Sequence, residues 1–131
     1  EGSGYVIASL GVDSGYVPYT AYSAKKSYIE KNPDIIQGFT NALQRGMEYV
    51  NSHSSKDIAK IIAPQFPDTD IDTIATIVER YKSQNTWKND LVFSNDSFTL
   101  LQNILFEAGV ITEYAPYSEL VDTGFAQKAL K

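Results

Sequence analysis

The sequence predicts a mostly α-helical chain that opens with a short N-terminal β segment of one or two strands. Three observations carry that reading. The apolar pattern changes from extended to helical periodicity near residue 25. Helix-start residues recur at intervals beyond that point. A length of 131 residues suffices for one modest core. The expected organisation is residues 1–24 as strands and 25–131 as helices, in a single structural unit.

Tyr5-Val6-Ile7-Ala8-Ser9-Leu10 is rich in β-favouring residues and bounded by Gly4 and Gly11. Val12-Asp13-Ser14-Gly15 is turn material. Tyr16 to Ser23 reads as a second, aromatic strand, which Pro18 confines to an edge or to a change of partner. Asn32-Pro33 starts a long helix at about 33–52, with Asn as cap and Pro in the first position. Its predicted buried stripe is Ile36, Phe39, Leu43, Met47 and Val50. Gly38 and Gly46 interrupt that helix at up to ~1 kcal/mol each, and close packing is the expected reason. Ser54 or Ser55 caps a short helix carrying Ile58, Ile61 and Ile62, which Ala63-Pro64-Gln65-Phe66-Pro67 ends. Thr69 and Asp70 open a helix with Ile71, Ile74, Val78 and Tyr81 in line. Asp70 and Asp72 suit the helix dipole in its first turn. Residues 84–93 form a linker. Ser94 then caps a helix with Phe98, Leu101, Leu105 and Ala108, which Gly109 ends in the left-handed conformation. Two short helical pieces close the chain, at about 116–121 and 124–130.

Composition excludes several function classes. A net charge of −5 argues against nucleic acid and against an anionic membrane surface. No apolar run approaches the ~18 residues of a membrane-spanning helix. Zero cysteines rule out disulfides, a thiolate nucleophile and Cys-ligated metals within this sequence, and one histidine makes a His-rich metal site or a serine–histidine triad a poor fit. No cofactor is implied. The chain begins at Glu1 without a signal peptide, so a processed chain or a piece of a longer one is expected.

The candidate chemistry is sparse. His53 reads as a helix-end residue interacting with the last carbonyls rather than as an acid/base. Asp68, Asp70 and Asp72 alternate, but they lead straight into Ile71, Ile74 and Val78, so helix capping is preferred to a calcium loop. Gly2-Ser3-Gly4 lacks the Lys-Ser/Thr of a phosphate loop, and Asn95-Asp96-Ser97 is a glycosylation triplet at a helix start. Tyr5, Tyr16, Tyr19, Tyr22 and Tyr28 crowd the first 28 residues. Such rings suit a ligand pocket or an interface, and the plainer reading is that they cover a sheet beneath the helices. Trp87 pins the linker to the core or lines a pocket.

The stretch Gly4-Tyr5-Val6-Ile7-Ala8-Ser9-Leu10-Gly11, then Val17-Pro18-Tyr19-Thr20-Ala21-Tyr22-Ser23 leading to Lys31-Asn32-Pro33-Asp34, resembles periplasmic solute-binding proteins of ABC importers. The branch is the one serving nitrate, sulfonates, taurine and thiamine-pyrimidine precursors. The long helix from Ile35 to Val50, the segment Ser55 to Ile62, the Phe98–Gly109 helix and the tail Pro116-Tyr117-Ser118-Glu119-Leu120-Val121 follow in that family's order. The resemblance implies the C-terminal portion of such a protein. It would be a fragment of a two-lobed α/β fold of the type II class, with residues 1–24 including the hinge crossover and 25–131 completing one lobe. It also implies an extracytoplasmic location, with a lipid anchor open for the full-length protein, and an importer permease as partner. A fragment of this kind should self-associate or exchange strands.

The expected function is capture of a small anionic or heterocyclic solute, with no enzymatic activity. Pro18, Tyr19, Thr20 and Tyr22 lie nearest the presumed hinge. Thr20 would donate a hydrogen bond and Tyr19 or Tyr22 would stack on the ligand. A small helical protein-interaction module is the alternative. Thiamine-pyrimidine synthases share the fold, but their Cys/His-rich pattern has no counterpart here.

Overall fold

The computed structural model describes residues 4, 5 and 7–131, and contacts gather them into two units. One comprises residues up to 25 together with Phe93–Thr123; the other is Lys26–Val92 with Gly124–Lys131.

In the first unit a short helix, α1 (Leu10–Asp13), begins where Ser9 O accepts from the Val12 and Asp13 amides. The chain beyond it is irregular and extended to Lys25. Gly15 turns it at φ +79, close against Leu100. The predicted β segment is therefore corrected: no strand forms among the described residues, and a two-lobed α/β architecture has no sheet there to rest on. Val6 and the Gly2-Ser3 start lie outside the described residues. The reason is that β propensity is local while a ladder is not. Each extended residue needs a partner for its N–H and C=O, and Pro18 has no N–H to offer. The tyrosines cover no sheet either; Tyr5 and Tyr19 are 95% and 98% exposed.

The same unit contains α6 (Asn95–Glu107) and α7 (Tyr117–Leu120). Ser94 caps α6 through the Ser97 amide. Gly109 (φ +70) ends it, its amide donating to Phe106 O and the Val110 amide to Leu105 O. Gln102, buried at 7% exposure, grips the returning chain through both backbone polar groups of one residue. Its Nε2 donates to Ala115 O (3.3 Å) and its Oε1 accepts from Ala115 N (2.6 Å). Phe98 meets Phe93 and Tyr117 edge-on, and the Tyr117 hydroxyl donates to Phe93 O.

The second unit holds α2 (Lys26–Lys31), α3 (Pro33–Ser52), α4 (Ser55–Ile62), a 3₁₀ turn (Ala63–Gln65), α5 (Ile71–Ser83) and α8 (Gly124–Ala129). Its core lies between α4 and α5: Ile58, Ala59, Ile74 and Val78 are buried, with Tyr49, Val50, Ile62, Ala63, Ala75 and Trp87 against them. Ser55 Oγ donates to Glu79 Oε2 (2.5 Å) across the same pair. Ser54 and Asp70 cap α4 and α5 through the Asp57 and Thr73 amides. Asn85 ends α5 at φ +51, with its own amide and that of Thr86 closing on Lys82 O and Tyr81 O. Asn there does what Gly109 does elsewhere.

Asn32 departs from expectation. It holds the cap position of α3, but its side chain turns back to donate to Tyr28 O (3.0 Å) and closes α2. The predicted stripe of α3 departs at one position: Ile36, Leu43, Met47 and Val50 are half-buried, but Phe39 is 48% exposed, and the residue α3 buries fully is Gln44, at 3%. Gly38 and Gly46 have no close neighbour; a Cβ at either would meet nothing within 4 Å.

Two predictions follow from these backbones. Gly38→Ala should stabilise the fold by roughly 0.5–1 kcal/mol, since it removes unfolded-state entropy into open space. Gly109→Ala should destabilise it by about 1–2 kcal/mol, because its φ is left-handed. Urea midpoints at constant slope would measure both.

The caps also predict an acid response. The Thr73 hydroxyl, then its amide, holds Asp70 below the ordinary carboxylate value of 3.8. Ser54 and then Lys60 do the same for Asp57. Lowered folded values mean stability that is fully present above about pH 4 and is lost as pH falls below it. Thermal melts between pH 7 and 2 should fall most steeply below pH 4, and Asp70→Ala should flatten that fall.

Candidate functional site

Most candidate residues of the sequence prove to be structural. His53 closes α3: its Nδ1 lies 2.9 Å from Tyr49 O, and its ring stacks on Tyr49 with centroids 3.6 Å apart. Lys82 Nζ donates to His53 O (2.6 Å), a cation set at a helix C-terminus. Asp70 is a cap, and Asp72 faces Lys56 at 3.6 Å. Among the described residues no group of three or more His, Cys, Asp and Glu could hold a metal ion. Trp87 packs on the core cluster and meets Tyr81 edge-on at 5.4 Å, so it pins the linker.

Pro18, Tyr19, Thr20 and Tyr22 lie on the extended segment of the first unit. Pro18 is half-buried, and Tyr19, Thr20 and Tyr22 are exposed, Tyr19 almost fully. They form a run of accessible rings and one hydroxyl, not an enclosed pocket.

An open cleft lies in the second unit, where α8 lies along the N-terminal half of α3. Pro33, Asp34, Gln37, Asn41, Phe125 and Lys128 line a cleft of about 240 Å³. Gln37 organises it. Its Nε2 donates to Asn41 Oδ1 (2.8 Å) and to Phe125 O (3.0 Å), which fixes the amide between the two helices. Its Oε1 is buried, and no group among the described residues donates to it. An acceptor in that condition carries a desolvation cost of about 1–3 kcal/mol, which a ligand N–H or O–H would relieve. The Lys128 ammonium stands 5.6 Å from the Phe125 ring centroid, and the Asp34 carboxylate is on the same lining. Asp34 and Lys128 do not pair within 4.0 Å. The cleft thus offers one cation, one carboxylate and one aromatic face, with the unfilled Gln37 acceptor covered behind its lining. The sequence reading missed it because Gln37 and Lys128 are distant in the chain and ordinary in isolation.

Comparison with known proteins adds one relative. A protein of Bacillus subtilis (strain 168) described as "Putative binding protein YtlA" is 41% identical over 128 residues, 98% of this chain. The chain spans 38% of that relative's length. No family model matches, and no solved structure matches. The resemblance to the C-terminal portion of a nitrate- or sulfonate-type importer protein is accordingly corrected. The relative is named only as a binding protein, and the described residues lack the strands such a fold requires. Part of the likeness has a local cause. In Lys31-Asn32-Pro33-Asp34, Asn32 closes one helix, Pro33 starts the next and Asp34 meets its dipole, a corner any two consecutive helices can use. No described helix is long and apolar enough to cross a membrane.

A second buried amide tests the cost of orphaned acceptors. Gln44 makes only long bonds, to Glu48 Oε1 (3.3 Å) and Asn89 O (3.4 Å), and its Oε1 has no donor among the described residues. Gln44→Met keeps the volume and removes the acceptor, so it should stabilise by about 1 kcal/mol in urea titration.

Proposed function

We propose that this protein binds a small polar solute outside the cytoplasm and passes it, chemically unchanged, to an ABC-type membrane importer. The binding role is supported by the relative's description as a binding protein. The observation that carries the solute reading is the cleft that sets the Lys128 ammonium and the Phe125 ring beside Gln37, whose covered Oε1 has no donor among the described residues. An N–H or O–H of the solute satisfies Gln37, an anionic group meets Lys128, and the Phe125 ring takes a planar face. The absence of chemistry is supported by the residue supply: no cysteine, and a single histidine whose ring is occupied by Tyr49 and Ser52. Pro18, Tyr19, Thr20 and Tyr22 are the second candidate contact, through stacking on the tyrosine rings and donation from the Thr20 hydroxyl.

Calorimetry with sulfate, ethanesulfonate and cytosine as probes separates the two. Binding through the cleft predicts that Lys128→Ala weakens the anions, and Gln37→Met the cytosine, by about tenfold each. Binding through the segment predicts that loss from Tyr19→Ala with Thr20→Ala instead. Failure of all three probes to bind the parent chain would refute the solute reading.

A further inference from the structure

Asp34 and Lys128 bring opposite charges to the lining of the α3–α8 cleft without meeting each other. Asp34 stands in the first turn of α3, where the helix dipole suits it. Its carboxylate takes part in no hydrogen bond or ion pair among the described residues. The Lys128 ammonium faces the Phe125 ring and reaches no carboxylate among them either. Taken singly, each is an ordinary exposed side chain. Gln37 makes them a pair. Its Nε2 bonds both Asn41 Oδ1 and Phe125 O, so the helix that bears Lys128 is fixed to the helix that bears Asp34. Ala126, buried at 7%, seats α8 in the same place. The two charges are thus held apart by the fold across one small cleft.

We propose that this cleft takes a small zwitterion of the amino-acid class, its ammonium on Asp34 and its carboxylate on Lys128. The proposal rests on the solute reading above and narrows it. A volume of about 240 Å³ lies below the ~300–1,000 Å³ of pockets for drug-sized ligands, so the occupant is small. In so small a cleft any occupant lies within about a Debye length (~8 Å) of both charges, and salt does not hide either from it. A simple anion meets Lys128 but also faces Asp34, and a simple amine meets Asp34 but also faces Lys128. A zwitterion satisfies both ends at once through charge-assisted hydrogen bonds. Its short hydrocarbon stem has the Pro33 and Phe125 rings to lie against. The net charge of −5 repels a free anion and leaves a neutral zwitterion unopposed.

Titration of the 131-residue chain, followed by NMR shifts, with glycine, β-alanine and 4-aminobutyrate tests this. Each is compared with the carboxylate that lacks its amine: acetate, propionate and butyrate. At least one amino acid of the series should bind about tenfold tighter than its carboxylate. Asp34→Asn should abolish that advantage while the carboxylate binds as before or more tightly, and Lys128→Ala should weaken both. Asp34 is exposed, so circular dichroism of the Asn variant should match that of the parent. Carboxylates that bind through Lys128 with no gain from the amine, or a gain that survives Asp34→Asn, would overturn the zwitterion and leave the solute reading standing. Failure of all six compounds would also overturn it, and the sulfate, ethanesulfonate and cytosine titrations then show whether the solute reading falls as well.

Discussion

Ala59 has no exposed surface, and Ile58, Ile74 and Val78 close around it between α4 and α5. A small side chain at the centre of a helix crossing lets the two helices approach, so that the larger neighbours interdigitate. The other elements of that unit attach to this contact. Tyr49 and Val50 bring in the C-terminal end of α3, His53 and Lys82 close it off, and Trp87 ties down the linker. The N-terminal end of α3 is left outside, and its neighbour there is α8, which it meets through the amide of Gln37.

Beside its half-buried apolar residues, α3 also carries polar side chains inward. Gln37 and Gln44 lie beside Ile36, Thr40, Leu43 and Met47 on the more buried side of α3, and each leaves an acceptor unfilled. Two such groups on one helix oppose folding, and they persist only where something else repays them. At Gln37 the cleft lets a ligand do so.

The helices were legible in the sequence because their signals are local. Ser54, Asp70, Ser94 and Gly109 each act within one turn of where they stand, and each does in the structure what its residue type predicts. Strand formation was misjudged because nothing within Tyr16–Ser23 says whether a partner exists. Asn32 was half read: its type announced a boundary, but its side chain had two helices to choose between and satisfied the earlier one. The binding cleft left no local mark, since its lining joins residues 33–41 to residues 125 and 128. Period alone points Phe39 inward with Ile36 and Leu43, but a helical period leaves the edge of the buried face open by one residue.

The glycines of α3 bring these strands together. In an isolated chain Gly38 and Gly46 are costs without return, since each weakens the helix and neither touches anything. Ile35 and Phe39, half in water on the same face, are costs of a second kind. None of the four belongs to the α4–α5 core, which takes only the Tyr49–Val50 end of α3, so the composition of the N-terminal part of this helix is not set by that core.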